Sequence, residues 1–245
     1  MAKKQPKLVL REACIADVSK TWPSGRFFEA GAGTGHMSSI FLARGFTGVA
    51  HDLGDSSRLE MRHRFADRGA HMRIVDRIDE IEDDSMDYLL AFEVLEHIDN
   101  DREVLQGWAK KLRPGGRILV SVPAHQRKFG RSDAMVGHVR RYERSEMRAL
   151  LEASDFTDIH LINYGWPVTE LTRRVSNRLI DGREDDFAGL SAKERSVRSA
   201  QAKPRVIDRV LRVVGGNVFI PFTWLQRLFY RFDLGDGIVA WARRR

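Results

Sequence analysis

The sequence predicts an α/β fold: a mostly parallel sheet of seven strands, helices on both of its faces, and a helical insertion before a last short strand. Three observations predict it. Short apolar runs alternate with segments of helical period over 26–163. The first apolar run passes directly into a loop with glycines two residues apart, Gly31, Gly33 and Gly35. Later, Pro114-Gly115-Gly116 stops a helical pattern and starts an apolar one, as a helix-to-strand connection requires. Regular alternation of this kind gives parallel strands whose crossovers cover both faces of the sheet.

The elements follow in order. Leu8, Ile15, Val18 and Trp22 fall near one face of an N-terminal helix, where Cys14 is a small packing residue, and Pro23-Ser24-Gly25 ends it. Strands are expected over 26–30, 46–51, 71–75, 86–92, 117–122 and 157–163, with helices over 36–44, 56–68, 99–112 and 144–153. From Tyr164 the pattern turns to arginine-rich helical periods broken at Gly182, Pro204, Gly215-Gly216 and Pro221, and a short apolar strand begins at Gly237. About seventy residues thus separate the last two strands, far more than a hairpin loop. The expected division is a core over 1–163 that includes the N-terminal helix, a helical insertion over 164–236, and a last strand with a basic tail over 237–245. The insertion reads either as a lid over the carboxyl ends of the strands, where open α/β sheets bind ligands, or as a dimer-forming helical pair.

Composition narrows the classes. At 245 residues the chain can bury a full core. A single cysteine excludes an internal disulfide, and no Cys/His cluster has zinc-site spacing, so no metal site is expected. Arg11 and Glu12 interrupt the first apolar residues, so no signal core is read there, and the expected location is cytoplasmic. The longest uncharged run, Val213 to Gln226, contains two glycines and a proline and falls short of the roughly 20 apolar residues that cross a bilayer. Residues 1–163 hold 25 basic and 25 acidic residues, whereas 164–245 hold 16 and 9. The whole net charge of +7 therefore lies in the C-terminal third, which reads either as a solvated helical face or as a surface for an anionic partner. Within it Val218, Phe219, Ile220, Phe222, Trp224, Leu225, Leu228 and Phe229 form an apolar cluster between arginines. Packing against the sheet or a second subunit covers such a cluster, and contact with an anionic membrane surface is the alternative.

The glycine loop carries the chemistry. Glycines at 31, 33 and 35 let backbone turn tightly and approach a ligand. A dinucleotide loop would have a third glycine in G-x-G-x-x-G spacing, and this chain has His36 at that place. Glu29, at the end of the first strand, disfavours a pyrophosphate and suits a ligand amino group. Asp52, at the end of the second, is placed to accept hydrogen bonds from two ribose hydroxyls. On Glu29-Ala30-Gly31-Ala32-Gly33-Thr34-Gly35, Asp52, Asp76, Phe92-Glu93-Val94-Leu95-Glu96-His97-Ile98 and Leu112-Arg113-Pro114-Gly115-Gly116-Arg117-Ile118-Leu119-Val120, taken in that order, the chain resembles the class I S-adenosylmethionine-dependent methyltransferases from Phe27 to about Asn163.

The resemblance implies a Rossmann-like sheet whose last strand, after the helical insertion, runs antiparallel, and S-adenosylmethionine as cofactor. It places Glu29, Gly31, Ala32, Gly33, Gly35, Asp52, Asp76, Arg77, Ile78 and Glu93 around that cofactor, with Asp76 on the adenine amino group and Ile78 against the ring. For Asp76 a solvated acid in an acidic loop is the competing reading. Three histidines are candidates for catalysis. His97 follows the fourth strand and reads more as the holder of a turn than as a base. His125 and His138, in the stretch after the fifth strand, are the better candidates to line an acceptor pocket and deprotonate a hydroxyl. A similar Pro-Ala-His segment followed by Asp and Gly-His-x-Arg-Arg-Tyr occurs in a bacterial subgroup linked to glycan and natural-product pathways. Arg140 and Arg141 read as binders of a carboxylate or phosphate, or as ties of the loop to acidic residues.

The expected activity is methyl transfer to a hydroxyl or carboxylate of a small molecule or glycan, anionic or lipid-linked. The alternative is a nucleic-acid or other macromolecular acceptor on the basic C-terminal region, against which the amino-methylating Asn/Asp-Pro-Pro-aromatic signature is replaced by Phe92-Glu93-Val94-Leu95. A silent S-adenosylmethionine-binding protein is a third reading, though every cofactor position holds a suitable residue.

Overall fold

The computed structural model describes residues 6–170 and 219–245. Helix α1 spans Pro6–Ser19 and is followed by β1 (Arg26–Ala30), α2 (His36–Leu42), β2 (Thr47–His51), α3 (Asp55–Arg64) and β3 (Met72–Ile74). Then come β4 (Met86–Phe92), α4 (Asp101–Ala109), β5 (Leu112–Pro123), α5 (Arg131–Val136), α6 (Arg144–Glu152), β6 (Phe156–Tyr164), α7 (Ile220–Arg227) and β7 (Gly237–Arg244). The seven strands form one sheet in the order β3-β2-β1-β4-β5-β7-β6.

β1 pairs in parallel with β2 and β4, β2 with β3, and β4 with β5. β7 runs the other way. Asp236 N donates to Tyr164 O and Arg245 N to Asp155 O, so the start of β7 meets the end of β6 and the reverse. Ala124 N donates to Asp236 O, which places the start of β7 at the end of β5. The mostly parallel sheet with a late antiparallel strand is therefore present.

The chain divides into two compact units. One comprises Pro23–Val122, Ser145–Leu161 and Ala240–Arg245; the other takes in the remaining described residues. In the first, β4 is buried along nearly its whole length, because a central parallel strand meets helices on both faces. Phe27, Phe41, Phe46 and Tyr88 form a chain of ring contacts with centroids 5.3–5.9 Å apart. α3 carries Asp55 in its first turn and Arg62, His63 and Arg64 in its last, matching charge to the helix dipole at both ends.

Several boundaries differ from expectation for local reasons. The helix expected over 56–68 ends at Arg64 and continues as a 3-10 turn, Ala66–Arg68. The helix over 99–112 ends at Ala109, because the residues expected to turn are already strand. β5 begins at Leu112, and Pro114-Gly115-Gly116 is a bulge within it. The register steps from Met86↔Leu112 to Tyr88↔Arg117, so five residues of β5 oppose two of β4. Gly116 has no room for a side chain there, since a Cβ would come within 2.8 Å of Arg113 O. The short helix α5 was not expected.

In the second unit α1 buries Leu10, Cys14 and Ile15, and burial pushes the Cys14 thiol far up. α7 packs on it: Gln226 Nε2 donates to Leu10 O at 2.9 Å, Arg227 clamps Asp17 at 2.7 and 2.8 Å, and Tyr230 Oη donates to Asp17 at 2.9 Å. Of the apolar cluster around α7, Val218 lies outside the described residues. The described part has an inverted pattern, with Thr223 and Gln226 buried while Trp224 is 66% and Leu228 70% exposed. Trp224→Ala is accordingly expected to change stability by less than about 1 kcal/mol, the worth of its contact with the Arg227 guanidinium. Asp17→Asn, which disarms a three-bond acceptor, is expected to cost about 1–2 kcal/mol. Urea unfolding of the two variants checks the contrast, and equal costs would refute it. No helix among the described residues is long and apolar enough to cross a membrane.

Candidate functional site

The residues expected around the cofactor belong to the first unit and collect at the carboxyl ends of β1, β2, β3 and β4. β1 ends in the buried Glu29-Ala30 pair, and the glycine loop follows. Ser38 on α2 donates its hydroxyl to Glu29 Oε2, which fixes the carboxylate at the base of the loop.

The three glycines take different tasks. All have positive φ, +65°, +54° and +78°. A Cβ on Gly31 would lie 2.5 Å from Val94, and one on Gly35 would lie 2.5 Å from Phe65, so these two allow close internal packing. Among the described residues, a Cβ on Gly33 would meet nothing within 4 Å. Gly33 is the point at which the loop is open, and its N–H is held at 2.8 Å by Asp52 Oδ2. Ala32 is buried and its N–H donates to His51 O at 3.0 Å.

Asp52 also accepts from Gly54 N at 2.9 Å through Oδ1. Each carboxylate oxygen has spent one acceptor site on backbone and keeps another for a hydroxyl. The residue behind this arrangement is Arg58 on α3, which the sequence did not single out. Its Nη1 donates to Asp52 O at 2.6 Å and its Nε to Asp76 Oδ1 at 2.9 Å, with a further contact to Asp55. One half-buried guanidinium thus ties the loop after β2 to the loop after β3.

Asp76 is exposed and its Oδ1 receives both Arg58 and Arg62, whose hydrogen bonds hold its carboxyl below the ordinary range. Its Oδ2 is left for another donor. Arg77 turns its guanidinium to Asp79, and its N–H, like that of Asp76, donates to Glu80. Ile78 is half-buried at the start of a 3-10 turn. Glu93, at the end of β4, has φ +58°, a conformation that non-glycine residues adopt under local constraint. Its N–H donates to Ser121 O at 2.8 Å, which anchors the turn to β5. His97 closes the next 3-10 turn by donating its N–H to Val94 O at 3.1 Å. A cavity of about 350 Å³ lined by Gln106, Lys110, Ser154 and Arg244 contains none of these residues.

His125 and His138 belong to the second unit and have different surroundings. His138 Nδ1 is 2.9 Å from Asp133 Oδ1. Asp133 also receives Arg141 Nε and Nη2 at 3.0 and 2.9 Å and the Gly130 N–H at 2.9 Å. Arg141 goes on to Ala124 O and Asp236 Oδ1, both at 3.1 Å. Of the two adjacent arginines it is Arg141 that ties the loop, in a network whose three charged side chains are at most 6% exposed. Burial works to raise the Asp133 carboxyl, but His138 and Arg141 outweigh it and hold the carboxyl below its ordinary value. Burial likewise opposes the charge on Arg141, and Asp236 and Asp133 raise it above its ordinary value.

His125 is 3% exposed and has φ +64°. Its Nδ1 lies 3.2 Å from Glu143 Oε2, and Glu143 Oε1 accepts the Gln126 N–H at 3.0 Å. Its Nε2 faces Asp233 Oδ1 at 3.6 Å. His125, Glu143 and Asp233 come from three separate stretches of chain, so no spacing in the sequence announces them.

A family model described as a methyltransferase domain matches residues 8–161, more than half of the chain. No curated protein matches it. Among solved structures the chain is similar to Haemonchus contortus phosphoethanolamine N-methyltransferase 2 in complex with S-adenosyl-L-methionine, with TM-score 0.59, 16% identity, and coverage of 96% of this chain and 52% of that one. The chain thus spans about half the length of that enzyme. It is also similar to a sarcosine dimethylglycine methyltransferase candidate from Galdieria sulphuraria (TM-score 0.54, 13% identity, 97% and 83% covered). A third match is an Archaeoglobus fulgidus SAM-dependent methyltransferase (TM-score 0.56, 15% identity, 98% and 95% covered).

Proposed function

The chain belongs to the class I S-adenosylmethionine-dependent methyltransferase family, and from that premise we propose that it transfers a methyl group to an oxygen of a small molecule or glycan that carries negative charge. The observation that carries the proposal is the loop at Gly33. It is open where a Cβ would meet no described residue within 4 Å, and its N–H is pinned by a carboxylate with acceptor sites to spare. These residues fit the cofactor. Glu29 would take its amino group, Asp52 its ribose hydroxyls, and Asp76 Oδ2 and Ile78 its adenine.

When bound, S-adenosylmethionine supplies an activated methyl group on a sulfonium. The chain's own residues then have two tasks. The first is to hold donor and acceptor in line, which in such displacements is the larger part of catalysis. The pinned loops after β1, β2 and β3 serve it. The second is to take the proton that the acceptor hydroxyl loses as the O–CH3 bond forms. We assign this to the group around His125, two residues beyond the carboxyl end of β5, with Glu143 orienting its ring. His138, occupied by Asp133, is assigned a positioning role, and His97 holds its turn.

The basic excess in 164–245 supports an anionic acceptor; most of the insertion expected over 164–236 lies outside the described residues. A screen of labelled methyl transfer across sugars, phenols, carboxylates and RNA tests the acceptor class. Transfer confined to RNA would overturn it. His125→Ala is expected to lower turnover about 10²–10⁴-fold while leaving donor affinity unchanged. Turnover at the wild-type rate from pH 6 to 9 would remove His125 from the chemistry.

A further inference from the structure

We propose that His125 Nε2 and the Asp233 carboxylate, with Glu143 behind them, form a binding site for one first-row divalent cation.

Three features point to it. The first is an orphaned atom: His125 Nε2 is fully buried and has no hydrogen-bond partner among the described residues, although a carboxylate oxygen stands 3.6 Å away. A ring nitrogen facing a carboxylate at that distance is too far for a hydrogen bond. Two atoms each about 2.1 Å from a common ion are separated by about 3.4–3.6 Å at near-tetrahedral angles, so the gap has the size of an ion.

The second is the state of the other nitrogen. Nδ1 lies 3.2 Å from Glu143 Oε2, and Glu143 is itself fixed by the Gln126 N–H. A carboxylate on the far nitrogen of a metal-binding histidine selects the tautomer that presents a lone pair at the near one and sets the plane of the ring. Asp233 is held in a comparable way. Its Oδ1 accepts from Asn163 Nδ2 at 2.9 Å, and Asn163 is oriented by Arg144 Nη1 at 2.8 Å.

The third is charge and access. With a neutral imidazole the group carries two negative charges, and one donor atom from each of the three residues lies within 4.8 Å of the others. The ring is buried, whereas the Asp233 and Glu143 side chains are 49% and 37% exposed, so coordination positions remain for water or an anionic ligand. Imidazole with carboxylates suits Zn²⁺, Mn²⁺ or Co²⁺ and disfavours Ca²⁺ and Mg²⁺.

The proposal deepens the reading of His125 as the place where the acceptor is activated. A cation there would polarise the acceptor oxygen and ease the loss of its proton to the group around His125. Its existence as a site does not depend on that role.

The test is calorimetric titration of the metal-stripped full chain with Zn²⁺ alone and Mn²⁺ alone, with no methyl donor or acceptor present. One ion per chain is expected, with a raised thermal midpoint. His125→Ala and Asp233→Asn should each weaken binding more than tenfold, and Glu143→Gln about 10–100-fold. Asp233 and Glu143 are partly exposed, so their variants are expected to fold, and circular dichroism without metal verifies it. Wild-type affinity equal to that of folded Asp233→Asn would overturn the site, as would absence of binding. A failed acceptor screen leaves this result standing, and a failed titration leaves methyl transfer standing.

Discussion

Arg141→Met is expected to destabilise the protein by about 3–5 kcal/mol, a large part of the roughly 5–15 kcal/mol that holds a domain folded. The side chain is 4% exposed and lies between Asp133 and Asp236, which are equally buried. Methionine fills much of the volume but takes from two buried carboxylates the guanidinium they share, leaving Asp133 to His138. Denaturant unfolding at pH 7 measures the loss, and a cost below about 1 kcal/mol would show that water replaces the guanidinium freely. The same network predicts a pH dependence. The Asp133 carboxyl lies below its ordinary value when folded, so its contribution is fully present above the unfolded carboxylate range near 3.9 and is lost as pH falls through the folded value. In Arg141→Met this acid-side loss should begin at a higher pH.

Gly33→Val should lower affinity for S-adenosylmethionine by at least about a hundredfold. Two effects add. A β-branched residue at φ +54° is strained by about 1–2 kcal/mol, and its side chain would fill the open space beside Gly33. Asp52→Ala should cost about 1–3 kcal/mol of binding, because the same carboxylate that would meet the ribose also pins the Gly33 and Gly54 N–H groups. Gly31→Val should act differently: it drives a side chain into Val94 and lowers stability first. Calorimetry for binding and thermal unfolding for stability separate the two glycines. If Gly33→Val bound the donor as the wild type does, the loop would not be the cofactor site.

Much of this was legible in the chain because the signals are local. Glu29 through Gly35 is a strand end and a turn in seven consecutive residues, and the apolar runs of β1 and β4 mark buried central strands by their composition. What was not legible depends on approach between distant stretches. Nothing near Arg58 announces that it reaches Asp52 and Asp76, since the reach is set by how α3 crosses two strand ends. His125 was visible as a histidine in a loop, but Glu143 and Asp233 join it only through the fold, 18 and 108 positions away. The outward Trp224 and Leu228 ran against the usual inward rule because α1 offers α7 a carbonyl and a carboxylate, which recruit Gln226 and Arg227 in place of the apolar residues.

The place of β7 between β5 and β6 sets a clock on assembly. β6 ends at Tyr164 and β7 begins at Gly237, so 72 residues must be made after one before the other exists. At about 5–20 residues per second the ribosome delivers β7 several seconds to some 15 seconds after β6. Throughout that interval the edges of β5 and β6 that will flank it have no permanent neighbour. A nascent chain in that state is the form most exposed to mispairing with another copy or to capture by a chaperone.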